Sequence, residues 1–314
     1  MADIFFNEAL HRYTDERNNV YTSVTTLIGQ FEKQFDKEAE AEKCAEKGKL
    51  GQGRYVGMTK EQILAFWAKG LKESQTRGTK QHDELEKAIK ICNNYNRIEE
   101  GLINSQLYTI PIIINNSSVG ELSVDKFLQT KISSKFPSFR DVVLKFVDSG
   151  YRLYPEICTY NTEYLVSGLI DLLLLNINTN SFVILDYKTN KKPLEFRSGY
   201  YKKNFDGSYT HDFIEKEEYF KAPLNTLPYH KGNIYNLQLS TYAYLTELLG
   251  FKNTDLLLFH MRPEINKYGD VIKDSMITSE WHTMSYLKPY VGKMINTHYN
   301  KILSTINTQT KLNL

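Results

Sequence analysis

The sequence predicts an α/β protein in which a mainly helical N-terminal region precedes a core that contains a β-sheet. Two observations lead to this class. Apolar residues recur at helical intervals across residues 58–97, and three apolar runs with the composition of strands lie between residues 152 and 189. Because no internal repeat and no low-complexity linker divides the chain, we expect residues 1–100 and residues 101–314 to form one compact unit.

The N-terminal region carries signals first for a hairpin and then for helices. A turn-rich stretch at residues 15–19 predicts a small hairpin, and Ser23 is placed to cap the helix that follows it. Thr59 and Gln62 have the spacing of a capping box, which marks another helix start. Helical segments are predicted at residues 24–31, 36–50, 58–78 and 79–97.

The rest of the chain alternates between strand and helix signals. Predicted strands lie at residues 107–115, 120–128, 152–160, 164–177, 181–189 and 256–261, and predicted helices at residues 137–150, at residues 234–249 and from about residue 280. Residues 189–233 form a long polar segment, rich in aromatic residues and lysine, without clear periodicity. A stretch of this kind is usually functional or disordered.

The composition limits the classes of function. Of 314 residues 41% are hydrophobic, and the formal net charge is +2, so no broad basic face exists and nucleic acid would need a local patch. The N-terminus lacks a basic segment followed by an apolar one, and no run approaches about 18 apolar residues. We therefore expect no signal peptide, no membrane span and a cytoplasmic location.

The cysteines predict a protein without a metal cluster. Cys44, Cys92 and Cys158 lie far apart and form no CxxC pair. Three thiols cannot complete the set of four that an iron–sulfur cluster needs, and an odd number argues against a disulfide framework. We expect reduced, mostly buried thiols and no iron–sulfur cluster.

Three charged residues interrupt the most apolar part of the sequence. Asp186 and Lys188 are two residues apart and share a face of their strand, and Asp171 lies on the preceding strand. A two-residue loop at 178–179 would place Asp171 opposite Asp186, and one at 179–180 would place it opposite Lys188. A three-residue loop would need a bulge to restore this facing. Most such hairpins bring the three groups together.

These three residues suit a metal-dependent hydrolytic site. Two neighbouring carboxylates repel each other, and a divalent cation such as Mg²⁺ or Mn²⁺ removes that conflict. A lysine beside them is no ligand, but it can orient or deprotonate a water or stabilise charge on a phosphate. The alternative from these residues alone is a structural ion pair at a strand end.

The segment Gly168-Leu169-Ile170-Asp171, followed by Asp186-Tyr187-Lys188, resembles the core of the PD-(D/E)XK nuclease superfamily, and in particular the "GxxD … DxK" strands of RecB-type nucleases. The resemblance implies a restriction-endonuclease-like core, which is a central mixed sheet flanked by helices. It also implies an Mg²⁺- or Mn²⁺-dependent deoxyribonuclease whose metal is held by Asp171, Asp186 and the Tyr187 carbonyl, with Lys188 as a catalytic residue.

Further motifs extend the resemblance over roughly residues 77–242. His82 in RGTKQHDELEKA matches the family's helical "G…H" motif and becomes a further metal ligand. Gln238 and Tyr242 match QxxxY and frame the catalytic region. Glu156 corresponds to an acidic residue that often precedes the GxxD strand; it is an additional ligand, a supporting group or a solvated carboxylate.

The remaining matches indicate a stand-alone enzyme. The segment HRYTDERNNVYTSVTTLI is similar to the opening of mitochondrial genome maintenance exonucleases and related phage proteins, and abundant Asn, Lys and Ile are typical of an AT-rich genome such as a phage's. The four cluster-binding cysteines of some relatives are absent, as is any GxxxxGK[ST] helicase motif. Such nucleases act in DNA repair or recombination, in a bacterium or a phage-infected cell.

The segment after Lys188 predicts how DNA is held. Aromatic and basic residues alternate there, which suits stacking of unpaired bases while the backbone is held electrostatically; a solvated loop is the alternative. The residues predicted to bind nucleic acid are Tyr200, Tyr201, Lys202 and Lys203. If the segment arches over the site, the substrate must thread, so we expect an exonuclease that prefers single-stranded ends. The alternatives are a structure- or sequence-specific endonuclease and a catalytically silent DNA-binding module.

Overall fold

The computed structural model describes residues 3–7, 10, 12–93, 107–115 and 119–312, with side chains except at 273–275 and 306–312. Strands are β1 Ile4–Asn7, β2 Arg12–Asp15, β3 Val20–Ser23, β4 Arg152–Asn161, β5 Val166–Asn176, β6 Ser181–Lys188, β7 Gly199–Lys203, β8 Tyr209–Glu215, β9 Lys252–Ile265 and β10 Val271–Thr283. Helices are α1 Val24–Gly29, α2 Lys37–Lys49, α3 Lys60–Cys92, α4 Ile110–Ile114, α5 Val124–Leu128, α6 Lys131–Lys135, α7 Pro137–Asp148, α8 Lys231–Glu247 and α9 Lys288–Leu312.

The main sheet is mixed, as predicted. Its strands run in the order β1-β2-β3-β5-β6-β9-β10, with β4 paired to β5, while β7 and β8 form a separate hairpin. The β3–β5 and β6–β9 pairs are parallel and the other pairs are antiparallel. The β5–β6 register pairs Leu172 with Leu185, which is the register expected from a loop at residues 178–179.

Helices cover both faces of the sheet, which confirms the α/β class. On one face, α1, α8 and α9 pack on a cluster that includes Ile170, Leu173 and Leu175 of β5. On the other face, α3, α5, α6 and α7 pack on a cluster that includes Leu172 and Leu174. Both faces of β5 and β6 are therefore buried, which explains their nearly continuous apolar sequences. Among the described residues, no helix is both long and apolar enough to cross a membrane.

Local signals predicted the N-terminal elements well. The side chain of Ser23 accepts a hydrogen bond from the Thr26 amide at the start of α1, and Thr59 and Gln62 form the expected capping box. The predicted break near residue 79 is wrong, because α3 runs without interruption from Lys60 to Cys92. A helix tolerates Gly78 in its interior, whereas a proline would have broken it.

Three other predictions are corrected. The predicted strands at residues 107–128 are wrong where the structure describes them, because α4 and α5 occupy this region and only isolated bridges form at Thr109 and Leu122. Pro111 in the first turn of α4 suits a helix start and outweighs the strand propensity of the isoleucines around it. The strand predicted at residues 256–261 extends over all of β9, and residue 280 lies in β10 rather than in a helix.

The N-terminal region is more closely tied to the sheet than a helical extension implies. Its strand β3 pairs in parallel with Val166 and Ser167 of β5. The division of the chain near residue 100 stays a prediction, since residues 94–106 lie outside the described part of the chain.

Candidate active site

Asp171 lies where β5 and β6 separate. Their backbone pairing runs from Asn176 and Ser181 to Leu172 and Leu185, so Asp171 and Asp186 come next in register. There the Tyr187 amide donates its hydrogen bond to the Asp171 carboxylate, at 2.8 Å from Oδ2. The side chain of Asp171 thus takes the place of a backbone acceptor and lies in the fork between the strands.

Glu156 faces the same fork from β4. Pro155 pairs with Leu172 and Ile157 with Ile170, so Glu156 falls opposite Asp171. Glu156 has a φ of 54°, in the left-handed region that a residue with a side chain rarely adopts. Backbone strain of this kind concentrates at functional sites.

The register therefore aligns three carboxylates, those of Glu156, Asp171 and Asp186, on three neighbouring strands. Burial, and then the charge of Asp171, raises the pKa of Glu156 to about 9. Burial also raises the pKa of Asp186 to about 6, although Lys188 opposes this rise. Burial is the main cause of both shifts, and the neighbouring carboxylate of Asp171 raises both pKa values further.

Lys188 forms an ion pair with Asp186. Its ammonium contacts Asp186 Oδ2, and the Lys188 Nζ also lies 5.0 Å from the centre of the Tyr235 ring on α8. Burial alone would lower the pKa of Lys188, but Asp186 and then Asp171 raise it above its ordinary value. Lys188 is therefore protonated in this arrangement and acts as a positive charge.

Helix α3 brings His82 to the carboxylates. His82 Nδ1 lies 3.5 Å from Asp171 Oδ2, and its ring meets the Tyr187 ring edge-on at 5.6 Å. One turn earlier, a Cβ atom on Gly78 would lie 3.1 Å from the Thr189 side chain, so a glycine allows the close approach of α3 to the end of β6. Sequence reasoning predicted the proximity of His82 to Asp171.

The sequence-based prediction missed Glu86, which lies one turn after His82 on α3. Its charge is the next contribution after Asp171 that raises the pKa of Glu156. The signal was present as the i, i+4 spacing of His82 and Glu86, which places both on one helix face. Glu86 also pairs with Lys90 at 2.7 Å.

Gln238 and Tyr242 lie together on α8, as predicted. Gln238 Nε2 donates a hydrogen bond to Tyr242 Oη at 3.0 Å. Tyr242 is buried against β5, and burial, followed by the charge of Asp186, raises its pKa well above the ordinary value. The phenol therefore stays protonated beside the carboxylates. Helix α8, which carries both residues, packs on the face of the sheet opposite α3.

The donor set fits Mg²⁺ or Mn²⁺ in kind, because it consists of carboxylates with one imidazole. It is not closed around one point, since Lys188 contacts Asp186 and His82 contacts Asp171. The role of the Tyr187 carbonyl stays a prediction. Within the described ranges, the donors that already lie close enough together to hold an ion are elsewhere, at His260, Glu280 and His282. Their ligand atoms are all within 4.8 Å of one another.

The predicted nucleic-acid segment forms one side of a cleft. This segment contains the hairpin of β7 and β8. The cleft has a volume of about 990 Å³. Tyr200, Tyr201 and Lys203 line the cleft together with Lys192 and Lys231, whereas Lys202 is not among its described lining residues. Three of the four predicted residues are thus brought together.

Side-chain contacts link the cleft to Lys188, which does not itself line the cleft. Asn190 lines it, and the Asn190 amide donates a hydrogen bond to Tyr235 Oη at 2.7 Å. Tyr235 is the ring that Lys188 contacts. The hydrogen-bonded pair of Asn190 and Tyr235 therefore lies between the cleft and Lys188.

The three cysteines are free and lie in three different hydrophobic clusters. Cys44 on α2 packs against a cluster with Ile63 of α3, Cys92 at the end of α3 lies in the cluster shared with α7, and Cys158 on β4 lies in a cluster with Ile4 and Tyr21. The absence of an iron–sulfur cluster stays a prediction.

The comparisons with known proteins assign no family. No protein-family model matches the chain, and the search of curated proteins returns no match.

Proposed function

We propose that this protein is a metal-dependent deoxyribonuclease with a PD-(D/E)XK core, and more specifically an exonuclease that acts on single-stranded ends. One observation carries the proposal. Glu156, Asp171 and Asp186 align across three strands, with Lys188 paired to Asp186. His82 approaches the same carboxylates from α3.

The residues that would hold the ion are Asp171 and Asp186, joined by His82, Glu156 and the Tyr187 carbonyl. When bound, Mg²⁺ or Mn²⁺ would lower the pKa of a water molecule and neutralise charge on the scissile phosphate. Burial raises the pKa of Glu156 most, and repulsion from Asp171 raises it further; a cation held between the two carboxylates would relieve that repulsion.

Lys188 contributes a fixed positive charge. Its pKa is raised by Asp186 and Asp171, so it stabilises negative charge on a phosphate better than it removes a proton from water. Asp186 orients the ammonium, and Tyr235 limits where it can move. Lys188 therefore acts by charge stabilisation.

The cleft supports a single-stranded substrate. Its aromatic and basic lining suits stacking of unpaired bases, which contributes about 1–3 kcal/mol per base. Tyr200 is 50% exposed, and the ammonium of Lys216 lies 5.0 Å from the centre of its ring, so an aromatic surface and a cation are presented together. A chain with a net charge of +2 attracts long duplex DNA only weakly by electrostatics, except at such a local site.

The test is a cleavage assay with three end-labelled or closed substrates. Linear single strands, linear blunt duplex and circular single strands are incubated with Mg²⁺, Mn²⁺ or EDTA. We expect rapid degradation of linear single strands, slow degradation of blunt duplex, and none of circular strands or in EDTA. Full activity in EDTA would overturn the metal-dependent mechanism, and rapid cutting of circles would establish an endonuclease instead.

A further inference from the structure

A second cluster of donors lies on β9 and β10, outside the candidate active site. His260 pairs in register with Glu280, and His282 follows two residues later on the same face of β10. Their ligand atoms all lie within 4.8 Å of one another. His260 is also the register partner of Lys188 across the parallel β6–β9 pair, so the cluster is next to the strand that carries that lysine.

The two imidazoles have binding capacity that the described protein does not use. His260 is 1% exposed, and its Nε2 is buried without a hydrogen-bond partner. The Nε2 of His282 is buried without a hydrogen-bond partner as well. Because buried polar atoms are nearly always paired, the unpaired Nε2 of His282, which lies near Glu280, points to a ligand; His260 contacts Glu280 through its other nitrogen, Nδ1.

The distances suit a small cation. His260 Nδ1 lies 3.1 Å from Glu280 Oε1, and His282 Nε2 lies 3.8 Å from the same oxygen. Donors bound at about 2.0–2.1 Å around a tetrahedral zinc ion lie roughly 3.3–3.4 Å apart. The two separations from Glu280 bracket this value, and since all ligand atoms lie within 4.8 Å of one another, side-chain adjustments would close the site.

We propose that His260, Glu280 and His282 bind a divalent transition-metal ion of the Zn²⁺ type. Two imidazoles and one carboxylate form a ligand set that such ions prefer and that Mg²⁺ does not. Three protein ligands leave one coordination position open. The ion would join β9 to β10 beside Lys188. This inference does not depend on the proposed nuclease activity.

Arg262 and Phe196 complete the surroundings. Arg262 Nε lies 3.3 Å from Glu280 Oε1, and the Phe196 ring lies 5.6 Å from the His282 ring. A carboxylate has about four lone-pair positions, so Glu280 can accept Arg262 and an ion together. The side chains of Glu280 and His282 are 34% and 18% exposed, which gives an ion access from solvent.

The experiment measures metal binding directly. Protein freed of metal with EDTA is titrated with Zn²⁺ by calorimetry and with Co²⁺ by visible absorption. We expect one tight equivalent of Zn²⁺, an affinity at least tenfold weaker in Glu280→Gln and in His282→Ala, and the absorption of a low-coordinate cobalt site that both variants lose. His211→Ala is the control, because His211 is exposed on β8.

Asp186→Asn separates this site from the predicted nuclease metal. Tight Zn²⁺ binding should persist in Asp186→Asn, whatever happens to cleavage. Equal Zn²⁺ affinity in the wild type, Glu280→Gln and His282→Ala would overturn the proposal, as would the absence of tight binding to wild type. Circular dichroism checks that each variant folds. If a variant does not fold, the cobalt spectrum of the wild type still tests the site.

Discussion

The Tyr242 ring lies directly against the backbone of Gly168, so close that a Cβ atom at residue 168 would be 2.4 Å from the ring carbon Cε1. Real Cβ atoms do not approach a neighbour so closely, so a side chain at residue 168 would displace the ring or the strand. Asp171 is three residues further along the same strand. The glycine thus lets α8 pack close to the strand that positions the carboxylate.

Replacing Gly168 by alanine should therefore destabilise the protein. We expect a loss of about 1–3 kcal/mol in the free energy of unfolding, which is typical of overpacking, and a measurable fall in activity. Urea denaturation measures the first effect. Gly70→Ala in α3 is the matched control, because a Cβ atom there meets nothing within 4 Å. That change should be neutral or stabilising, by up to about 1 kcal/mol.

Asp186→Asn should abolish DNA cleavage and leave DNA binding near the wild-type level. The reason is that Asp186 belongs to the predicted metal site, whereas the proposed phosphate contacts lie in the cleft. Fluorescence anisotropy with a labelled single strand measures binding, and release of label measures cleavage. Asp212→Asn on the exposed side of β8 should change neither. Persistent cleavage by Asp186→Asn would refute the assignment.

Lys188→Ala should separate catalysis from metal binding. We expect a rate lower by a factor of about 10²–10⁴, because a charge-stabilising group is lost. Mn²⁺ binding should persist or become tighter, since the ammonium no longer competes for the Asp186 carboxylate. Calorimetry with Mn²⁺ and a cleavage assay make the comparison. Loss of metal affinity together with activity would mean that Lys188 is structural.

Lys203→Ala should weaken binding of single strands more than Lys202→Ala does. Lys203 lines the cleft, and its neighbour in sequence does not. The two variants have the same change in net charge, so each is the other's control. For Lys203→Ala the slope of log affinity against log salt should decrease by about 0.7, the value for one phosphate contact on a single strand. Equal effects would show that only overall charge matters.

The free energy of unfolding should fall in acid because the Asp15 carboxylate becomes protonated. Burial alone would raise the pKa of Asp15, but hydrogen bonds from Asn19, Tyr21 and the Arg17 amide outweigh it and lower this pKa below the ordinary 3.8. The stabilisation is therefore fully present above pH 3.8 and is lost as the pH falls through the lower folded-state value.

Urea denaturation of wild type and Asp15→Asn at about pH 6 and about pH 3 tests this. The wild type should be more stable than the variant at the higher pH, and the difference should shrink at the lower pH. A difference that stays constant between the two pH values would show that Asp15 does not titrate with folding.

Much of the candidate site was predictable because its signals are local. Asp171, Asp186 and Lys188 are joined by a short hairpin, so the period of a strand and the length of one loop place them together. Ser23 and Thr59 mark helix starts because their side chains accept hydrogen bonds from backbone amides three residues later. Gln238 and Tyr242 are four residues apart on a helix, which brings their side chains into contact.

Tertiary structure decided the remainder. Strand propensity at residues 107–115 and 120–128 gave way to the short helices α4 and α5, helped at α4 by Pro111, and these helices bury Ile110, Ile113 and Phe127 in the core. Nothing in the spacing of His260, Glu280 and His282 reveals their cluster without the long β9–β10 hairpin, and the strand of the last two was not predicted. The left-handed backbone at Glu156 is likewise invisible in the sequence. Periodicity shows which face a residue takes on its own element, but only the pairing of elements shows which residues meet across it.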